Sequence, residues 1–318
     1  MTTRERLEIP SPVVVTGGAG FLGRAVVEAL ERRGVGPVVV PRSARYDLVA
    51  PGAAERLLED SGARTVIHLA AVVGGIGANR LEPGRFFYTN LMMGVQLMHA
   101  AMRAGTERFV SVGTVCSYPK TLPAPFQVES LWSGYPEETN APYGLAKKML
   151  LVMGQAYHQQ YGMAATHLIP VNLYGPGDDF DLERGHVIPA LIRKCVEATE
   201  RGAAHIDVWG DGSPTREFLY VEDAAEAIAL AAARYQDPAP LNLGSGVEIR
   251  IRDLAERVAA EVGFTGELRW DAARPNGQPR RLVDSRRARE VLGWRPEVSF
   301  DEGLRRTVAW FRAHRGDR

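Results

Sequence analysis

The chain has 318 residues, 45% of them hydrophobic, which is enough to bury the core of one large domain or of two linked ones. Its 38 basic residues balance 38 acidic ones, which argues against broad binding of nucleic acid or of a membrane surface. Two cysteines, Cys116 and Cys195, do not make a disulfide framework and fit a reducing compartment. The N-terminus has no apolar h-region, and no apolar run reaches the roughly 18 residues of a membrane span, so we expect a cytoplasmic protein.

Strands and helices alternate through the first half of the chain. A β-branched run leads through glycines into a helix that places Ala25, Val26, Ala29 and Leu30 on one face. The segments "GPVVVPRS", "RTVIHLAA", "RFVSVGT" and "ATHLIPVNLYG" are predicted as buried strands, and "AAERLLEDSG", "VQLMHAAMRAG" and roughly Tyr143–Tyr161 as helices. This alternation predicts an α/β fold, with a Rossmann-type doubly wound parallel sheet covered on both faces.

The alternation loosens after Gly175, and no linker of low complexity separates the two halves. We therefore predict a smaller C-terminal α/β substrate lobe that grows out of the later crossovers of the sheet. The expected bounds are 1–175 for the Rossmann domain, with segments near 216–246 returning to it, and 176–318 for most of the substrate lobe. Loops rich in Gly, Pro and charge are expected at Gly175–Gly185, Gly210–Arg216 and Arg274–Arg281.

The loop "TGGAGFLG" has the glycine spacing of a dinucleotide site. Gly17, Gly20 and Gly23 follow a strand and, with Phe21 and Leu22, open a helix. Glycine lets the backbone turn tightly and approach a pyrophosphate, and the helix N-terminus offers N–H groups and a positive dipole. In this strand–loop–helix context dinucleotide binding is favoured over a plain tight turn.

The end of the second strand indicates which dinucleotide binds. An NAD site usually has an acidic residue there for the ribose 2′-hydroxyl, but this chain has Arg42 and Arg45, which suit a 2′-phosphate. We therefore expect NADP(H), the alternative being two solvated loop arginines. Asp47, which Leu48 follows, is expected to bond the adenine or to serve as a turn or cap residue.

"PYGLAKK" places Tyr143 and Lys147 four residues apart on one helical face. A cation one turn away is expected to lower the pKa of the tyrosine so that it can exchange a proton near neutral pH. Thr114 ends the fourth strand, where its hydroxyl could bond a substrate carbonyl or Tyr143. An ordinary surface Tyr–Lys pair is the alternative.

Glycine loop, Thr114, Tyr143 and Lys147 together resemble the site of extended short-chain dehydrogenases/reductases, and "TREFLYVEDAAEAI" looks like the substrate-lobe signature of that class. Seven blocks, among them "HLAAVVGGIGAN", "CSYPK", "GHVIPALIRK" and "RPNGQPRRLVD", look like segments of GDP-L-fucose synthases. That resemblance implies an NADPH-dependent 3,5-epimerase-4-reductase of GDP-4-keto-6-deoxy-D-mannose. It also implies a homodimer through helices at about Phe86–Arg103 and Tyr143–Tyr161.

The resemblance further implies roles for single residues. Cys116 and His186 correspond to the epimerase pair of the family, although by themselves they read as a buried cysteine and a loop histidine; Cys195 reads as a packing residue. Thr114, Cys116, Tyr143, Lys147 and His186 are the expected catalytic set, and no metal is expected. Further cofactor contacts are expected from Ala70, Lys147, Pro170, Asn172, Leu173 and His186, and substrate contacts from Asn172, Arg193, Trp209, Arg216, Arg274 and Arg280.

Several positions depart from the family pattern. Thr114 and Gly185 stand where relatives usually have serine, and Val72 stands where many have lysine. In the loop "ARPNGQPRR", Arg274, Asn276 and Gln278 stand where relatives tend to have Lys, Asp and Thr. Because this loop is expected to hold nucleotide and sugar, these substitutions leave the identity of the substrate open.

Three alternatives therefore stand beside the leading hypothesis. The chain could be an epimerase or reductase of another nucleotide-linked sugar, such as a heptose or a deoxysugar of a specialised metabolite. It could be a 4-epimerase that keeps NAD tightly bound and has no need of Cys116. It could also be a nucleotide-binding regulator, against which the presence of the complete catalytic set argues.

Overall fold

The computed structural model describes residues 5–182, 184–273 and 277–315. The strands in this part are β1 (Val13–Thr16), β2 (Val38–Val39), β3 (Thr65–His68), β4 (Arg108–Val112), β5 (Ala164–Pro170), β6 (Asn172–Tyr174), β7 (His205–Trp209), β8 (Thr215–Tyr220), β9 (Leu241–Leu243), β10 (Glu248–Arg250), β11 (Glu267–Asp271) and β12 (Arg280–Arg281). The α-helices are α1 (Phe21–Arg32), α2 (Ala53–Ser61), α3 (Ile76–Leu81), α4 (Pro83–Arg103), α5 (Ala141–Tyr161), α6 (Val187–Glu200), α7 (Val221–Arg234), α8 (Ile251–Val262), α9 (Arg286–Leu292) and α10 (Phe300–Ala313).

The larger sheet has six parallel strands in the order β2-β1-β3-β4-β5-β9. Its central strands are buried along their length, as expected when helices cover both faces of a sheet. Helices α1 and α7 pack on one face, where Val26 and Leu30 are fully buried. Helices α2, α4 and α5 pack on the other face. The predicted doubly wound α/β fold is thus confirmed.

Two predicted strands differ from the structure. "GPVVVPRS" forms only the two-residue strand β2, which is half-buried because it lies at the edge of the sheet. "ATHLIPVNLYG" is two strands, since β5 ends at Pro170 in the large sheet while β6 pairs with β8 in a second one. Pro170 has no N–H of its own to donate, but Val171 N–H still donates to the Leu243 carbonyl of β9 at 3.0 Å before β6 begins.

The second sheet has the order β10-β8-β12, with β6 also pairing β8, and β7 pairs with β11. These strands and α6, α8 and α10 enclose a separate hydrophobic core that includes Phe180, Ile192 and Phe218. Two of the expected loops end in strand residues, because Thr215 and Arg216 begin β8, and Arg280 and Arg281 form β12.

The large sheet also recruits later parts of the chain. Strand β9 pairs with β5, and α7 contacts α1, β4 and β5. The domain bounds given above stay a prediction. Among the described residues, no helix combines the length and the apolar character needed to cross a lipid bilayer.

Candidate active site

A cleft of about 970 Å³ runs from the carboxyl ends of the large sheet's strands to the second sheet. It begins where β1 and β3 lie side by side and their crossovers turn in opposite directions, which is where open α/β sheets bind ligands. The predicted site residues that line it are Gly17, Gly20, Phe21, Leu22, Gly23, Arg42, Asp47, Leu48, Ala70, Thr114, Cys116, Tyr143, Lys147, Pro170, Asn172, Leu173, His186, Trp209 and Arg216. Arg45, Arg193 and Arg280 are not part of this lining, and Arg274 lies outside the described residues.

The glycine loop lies at one end of this cleft. Gly17 has a positive φ of 72°, and a Cβ there would come within 2.7 Å of the Ala70 backbone nitrogen. A Cβ on Gly23 would collide with the carbonyl oxygen of Gly17. The loop therefore folds tightly only with glycine, and it leads directly into the first turn of α1, whose N–H groups have no partner within the helix. Such a cradle fits the pyrophosphate of a dinucleotide.

The two arginines after β2 lie in different environments. Arg42 is exposed and lines the cleft beside Ser43 and Asp47. Arg45 instead donates to Asp60 Oδ2 at 2.9 Å, and its guanidinium lies 5.0 Å from the centre of the Tyr46 ring. Arg42 is thus placed to meet an anion in the cleft, whereas Arg45 is held by a surface ion pair. Asp47 Oδ1 accepts the N–H of Val49 at 3.0 Å, which makes it a turn residue.

The turn that carries Cys116 is packed against the start of α5. Thr114 Oγ1 accepts the Cys116 N–H at 3.2 Å, and Ser117 Oγ donates to the Gly144 carbonyl at 2.8 Å. A Cβ on Gly144 would lie only 2.8 Å from the Cys116 carbonyl carbon. Because glycine follows Tyr143, the helix can approach this closely, and Cys116 and Tyr143 then face the same part of the cleft.

The pKa of Tyr143 shifts in the direction opposite to the one expected from the sequence. Burial raises the pKa of Tyr143 above its ordinary value of 10.0, and the negative charge of a Cys116 thiolate raises it further. The expected lowering of the Tyr143 pKa by Lys147 is wrong for this structure, because burial disfavours the charged phenolate. Tyr143 is consequently protonated at neutral pH, which is the state that an acid catalyst requires.

Lys147 lies among buried groups that carry no charge at neutral pH. The side chain is 2% exposed, and burial lowers its pKa to about 8. His68 and His167 are also buried, and burial together with the nearby Lys147 charge lowers the pKa of each to about 3. Their Nδ1 atoms are hydrogen-bonded at 2.8 Å to Thr16 Oγ1 and Ser111 Oγ respectively. These histidines therefore add no positive charge beside the lysine.

We expect Lys147→Met to raise the free energy of unfolding by about 3 kcal/mol at pH 7. Desolvation lowers the pKa of Lys147 from 10.5 to about 8 in the folded chain, so its charged form is disfavoured there. This destabilisation is complete below pH 8, and it disappears as the pH rises towards the unfolded-state pKa. Denaturant unfolding of wild type and variant at pH 7 and pH 10 measures both effects.

Lys148→Met is the matched control for that substitution. Lys148 is also buried, but its Nζ donates to the Leu131 carbonyl and lies 3.9 Å from the centre of the Trp132 ring. Its loss removes two favourable contacts, so the control should lower stability. A decrease for both variants would contradict the expectation for Lys147.

His186 faces the cleft from the other side. It directly precedes the first residue of α6 and is accessible to solvent within the cleft. The surrounding protein nevertheless lowers the pKa of His186 by desolvation, an effect that the charge of Asp179 partly opposes.

Gly185 explains one departure from the family pattern. A Cβ there would lie 2.5 Å from the carbonyl oxygens of Asp179 and Asp181, so this turn leaves no room for the serine that the family pattern led us to expect.

Two arginines from neighbouring strands enter the substrate end of the cleft. Arg216 on β8 and Arg281 on β12 are register partners and both line it. Burial, and then the charge of Arg281, lower the pKa of Arg216 to about 9. Two guanidinium groups side by side make this end of the cleft positively charged, which suits negatively charged groups.

Arg281 is the main residue that the sequence reasoning missed. It lies next to Arg280, and the side chains of a strand alternate between faces. Arg280 points away from the cleft and forms a two-pronged ion pair with Glu248, at 2.7 and 2.8 Å. Arg281 points inward, and its Nη1 lies 3.6 Å from Cys116 Sγ. A predicted strand across "PRRL" would have raised the question of which arginine faces inward.

The other predicted substrate residues lie in distinct settings. Asn172 donates to the Glu217 carbonyl at 3.0 Å and lines the cleft, as does Trp209. Arg193 is held on α6 by Glu197, at 2.8 Å, and by the Phe180 carbonyl, at 3.2 Å. Its role in substrate binding stays a prediction. Cys195 is fully buried in the second core, in agreement with a packing role, and the described residues include no cluster of His, Cys, Asp or Glu suited to a metal ion.

Comparison with known proteins places this site in a family. The NAD dependent epimerase/dehydratase family matches residues 13–244. The chain belongs to that family. A probable GDP-L-fucose synthase 1 of Oryza sativa subsp. japonica is 42% identical, and the match covers 94% of this chain and 91% of the relative. The resemblance to GDP-L-fucose synthases is thus confirmed.

Solved structures give the same result. A GDP-L-fucose synthetase from Naegleria fowleri bound to NADP superposes with a TM-score of 0.89 at 28% identity, covering 99% of this chain and 98% of that one. A GDP-6-OMe-4-keto-L-xylo-heptose reductase from C. jejuni has a TM-score of 0.88 at 25% identity, covering 99% of both chains. The family fold therefore extends over the substrate end of the cleft as well as the glycine loop.

Proposed function

We propose that this chain is an NADPH-dependent 3,5-epimerase-4-reductase that converts GDP-4-keto-6-deoxy-D-mannose to GDP-L-fucose or a close GDP-sugar relative. The observation that carries the proposal is one continuous cleft, which begins at the glycine loop and also receives Cys116, Tyr143 and His186. Relatives named GDP-L-fucose synthases support the same activity. The protein is accordingly an oxidoreductase with epimerase activity. A cytoplasmic location stays a prediction of the sequence.

The epimerisations use the acidity of the carbon atoms beside the 4-keto group. Cys116, as the thiolate, takes the proton from C3 or C5, and the electron pair of the broken C–H bond moves to O4 as an enolate. His186 enters the cleft from a different element, so it can return a proton to the opposite face of the ring. Thr114 and Tyr143 supply the hydroxyl groups that stabilise negative charge on O4.

The reduction uses the same pocket. The glycine loop and Arg42 would hold NADPH, which would supply the hydride for C4. Tyr143, which its buried setting keeps protonated, donates a proton to O4. Lys147 and Thr114 polarise the C4 carbonyl and orient it in the cleft. Arg216 and Asn172 are placed to hold the diphosphate and the sugar.

NADP(H) is the cofactor in this proposal, and Arg42 provides the selectivity for its 2′-phosphate. We expect Arg42→Ser to raise the KM for NADPH by about 10–100-fold, the worth of a lost hydrogen bond to a charged group, and to leave the KM for NADH nearly unchanged. Steady-state kinetics with both cofactors measures this preference. Arg45→Ser is the matched control, since Arg45 is engaged by Asp60. Equal effects of the two substitutions would remove Arg42 from its role.

The function itself is tested with enzymatically prepared GDP-4-keto-6-deoxy-D-mannose. NADPH oxidation is followed by absorbance, and the product is analysed by NMR. Formation of GDP-L-fucose supports the full proposal. A reduced product that keeps the D-manno configuration at C3 or C5 would indicate a reductase without complete epimerisation. If the chain binds NADPH but does not oxidise it with this sugar, the substrate is another sugar nucleotide.

A heptose-linked substrate is the second candidate. The structural match to a GDP-linked 4-keto-heptose reductase covers almost the whole chain. Parallel assays with GDP-linked 4-keto-heptoses and the 6-deoxy sugar decide between the two substrates by their kcat/KM ratio.

A homodimer belongs to the proposal as well. Helices α4 and α5 pack against each other, and both leave large apolar side chains exposed, including Phe87, Tyr88, Val152 and Tyr161. A four-helix interface between two copies would cover these side chains. Light scattering coupled to size-exclusion chromatography measures the assembly in solution, and a monomer at micromolar concentration would contradict it.

A further inference from the structure

Gln278 is buried although it lies in a loop that the sequence assigns to substrate recognition. It is 3% exposed and therefore has little surface to offer to a sugar or nucleotide. Its amide group is instead used within the protein. Nε2 donates to the carbonyl oxygens of Pro119 and Lys120 at 3.3 and 3.1 Å, and Oε1 accepts Arg281 Nε at 3.0 Å.

These contacts connect the segment before β12 to the segment that carries Cys116. Pro119 and Lys120 follow the Cys116 turn directly in the chain. The Gln278 amide therefore fixes the distance between that turn and β12. With Nε bonded to Gln278, the guanidinium of Arg281 presents Nη1 to Cys116 Sγ at 3.6 Å. Arg281 is itself only 8% exposed, so this orientation is largely enclosed by protein.

We propose that Gln278 and Arg281 form a positioning pair that holds a fixed positive charge against Cys116 Sγ and so stabilises negative charge on the sulfur when it acts as a base. A guanidinium stays protonated throughout the working pH range, and an adjacent cation favours the ionised state of a thiol. The inference rests on the proposed function in one respect, since it takes Cys116 as the base of the epimerisations. It assigns Gln278 a role in the chemistry that does not require contact with the sugar.

Other charged groups near Cys116 add to or oppose the positive charge of Arg281. Arg216 on β8 adds positive charge, and its pKa responds to both Arg281 and Cys116. Tyr143 on α5 is neutral at working pH. Glu137, in the segment before α5, is the opposing anion. Burial alone would raise its pKa, but hydrogen bonds from Thr139 and Asn140 and the charge of Arg281 bring the pKa below its ordinary value. Glu137 thus partly offsets the two arginines.

The test is the pH dependence of Cys116 alkylation by iodoacetamide in the purified full-length chain, followed by peptide mass spectrometry. Cys195 does not interfere, because it is fully buried and burial raises its pKa to about 12. The alkylation midpoint of wild type is the reference for the variants. Arg281→Met should raise it by about 1–3 pH units, and Gln278→Met should raise it in the same direction by less.

Two further variants separate charge from structure. Arg281→Lys keeps the charge and should hold the midpoint close to that of wild type, which also keeps the test valid if Arg281→Met folds poorly. Arg280→Met, on the neighbouring residue whose side chain pairs with Glu248, should leave the midpoint of Cys116 unchanged. An unchanged midpoint in Arg281→Met would overturn the proposal, as would equal shifts in the Arg280 and Arg281 variants.

The substrate reaction provides the second readout. The rate of exchange of the C3 and C5 hydrogens with deuterated solvent should rise with pH as Cys116 ionises. In Arg281→Met the midpoint of this rise should shift as far as the alkylation midpoint does. A raised substrate KM with an unchanged thiol midpoint would instead make Arg281 a substrate ligand and refute the positioning role. If Cys116→Ser exchanges normally, the proposed function of Cys116 fails, while the alkylation midpoints still decide whether Arg281 stabilises the thiolate.

Discussion

Tyr143→Phe should abolish most hydride transfer to the 4-keto sugar, with a loss of about 10²–10⁴-fold in kcat, the usual effect of removing a proton-transfer group. The hydroxyl is the only part removed, and the ring keeps its edge contact with Phe86, whose centre lies 6.4 Å away. Folding and NADPH binding should therefore survive. Single-turnover oxidation of NADPH in the presence of GDP-4-keto-6-deoxy-D-mannose measures the step directly.

Tyr135→Phe is the control for that experiment. Tyr135 is exposed and lies outside the cleft, so the loss of its hydroxyl should leave turnover unchanged. Reduction by Tyr143→Phe at a rate close to that of wild type would remove Tyr143 as the acid. Burial raises the Tyr143 pKa, so loss of its proton at high pH should not limit wild-type turnover at or below pH 9.

Cys116→Ser should slow the exchange of the C3 and C5 hydrogens with solvent by about 10²–10⁴-fold while NADPH still binds. A serine hydroxyl has nearly the size of a thiol but does not ionise near neutral pH, so the base is lost and the fold is kept. The exchange is measured by NMR in deuterated water with oxidised cofactor, which separates epimerisation from reduction.

Cys195→Ala is the matched control. Its sulfur is buried in the second hydrophobic core, between α6 and the strands of the second sheet, and does not reach the cleft. We expect normal exchange in this variant and a modest loss of stability from the small cavity. Normal exchange in Cys116→Ser would show that another group abstracts the protons.

The sequence by itself determined the fold class and the order of the site segments. Alternating strands and helices require a covered parallel sheet, and Gly17 and Gly23 leave room where a Cβ would strike Ala70 or the loop's own backbone. The spacing of Tyr143 and Lys147 predicts one face of a helix, and α5 places them there. These features are local, so they can be read from neighbouring residues.

The tertiary structure alone decided which of two adjacent or nearby side chains reaches the cleft. Arg45 is turned away by Asp60 and Arg280 by Glu248, partners that lie 15 and 32 residues away in the chain. Arg281 enters the site because β12 pairs with β8 in a register that turns it inward. The pKa of Tyr143 rises for a similar reason, since desolvation depends on everything packed around the ring. The direction and burial of a side chain depend on many tertiary contacts, and these cannot be read from residue type and spacing alone.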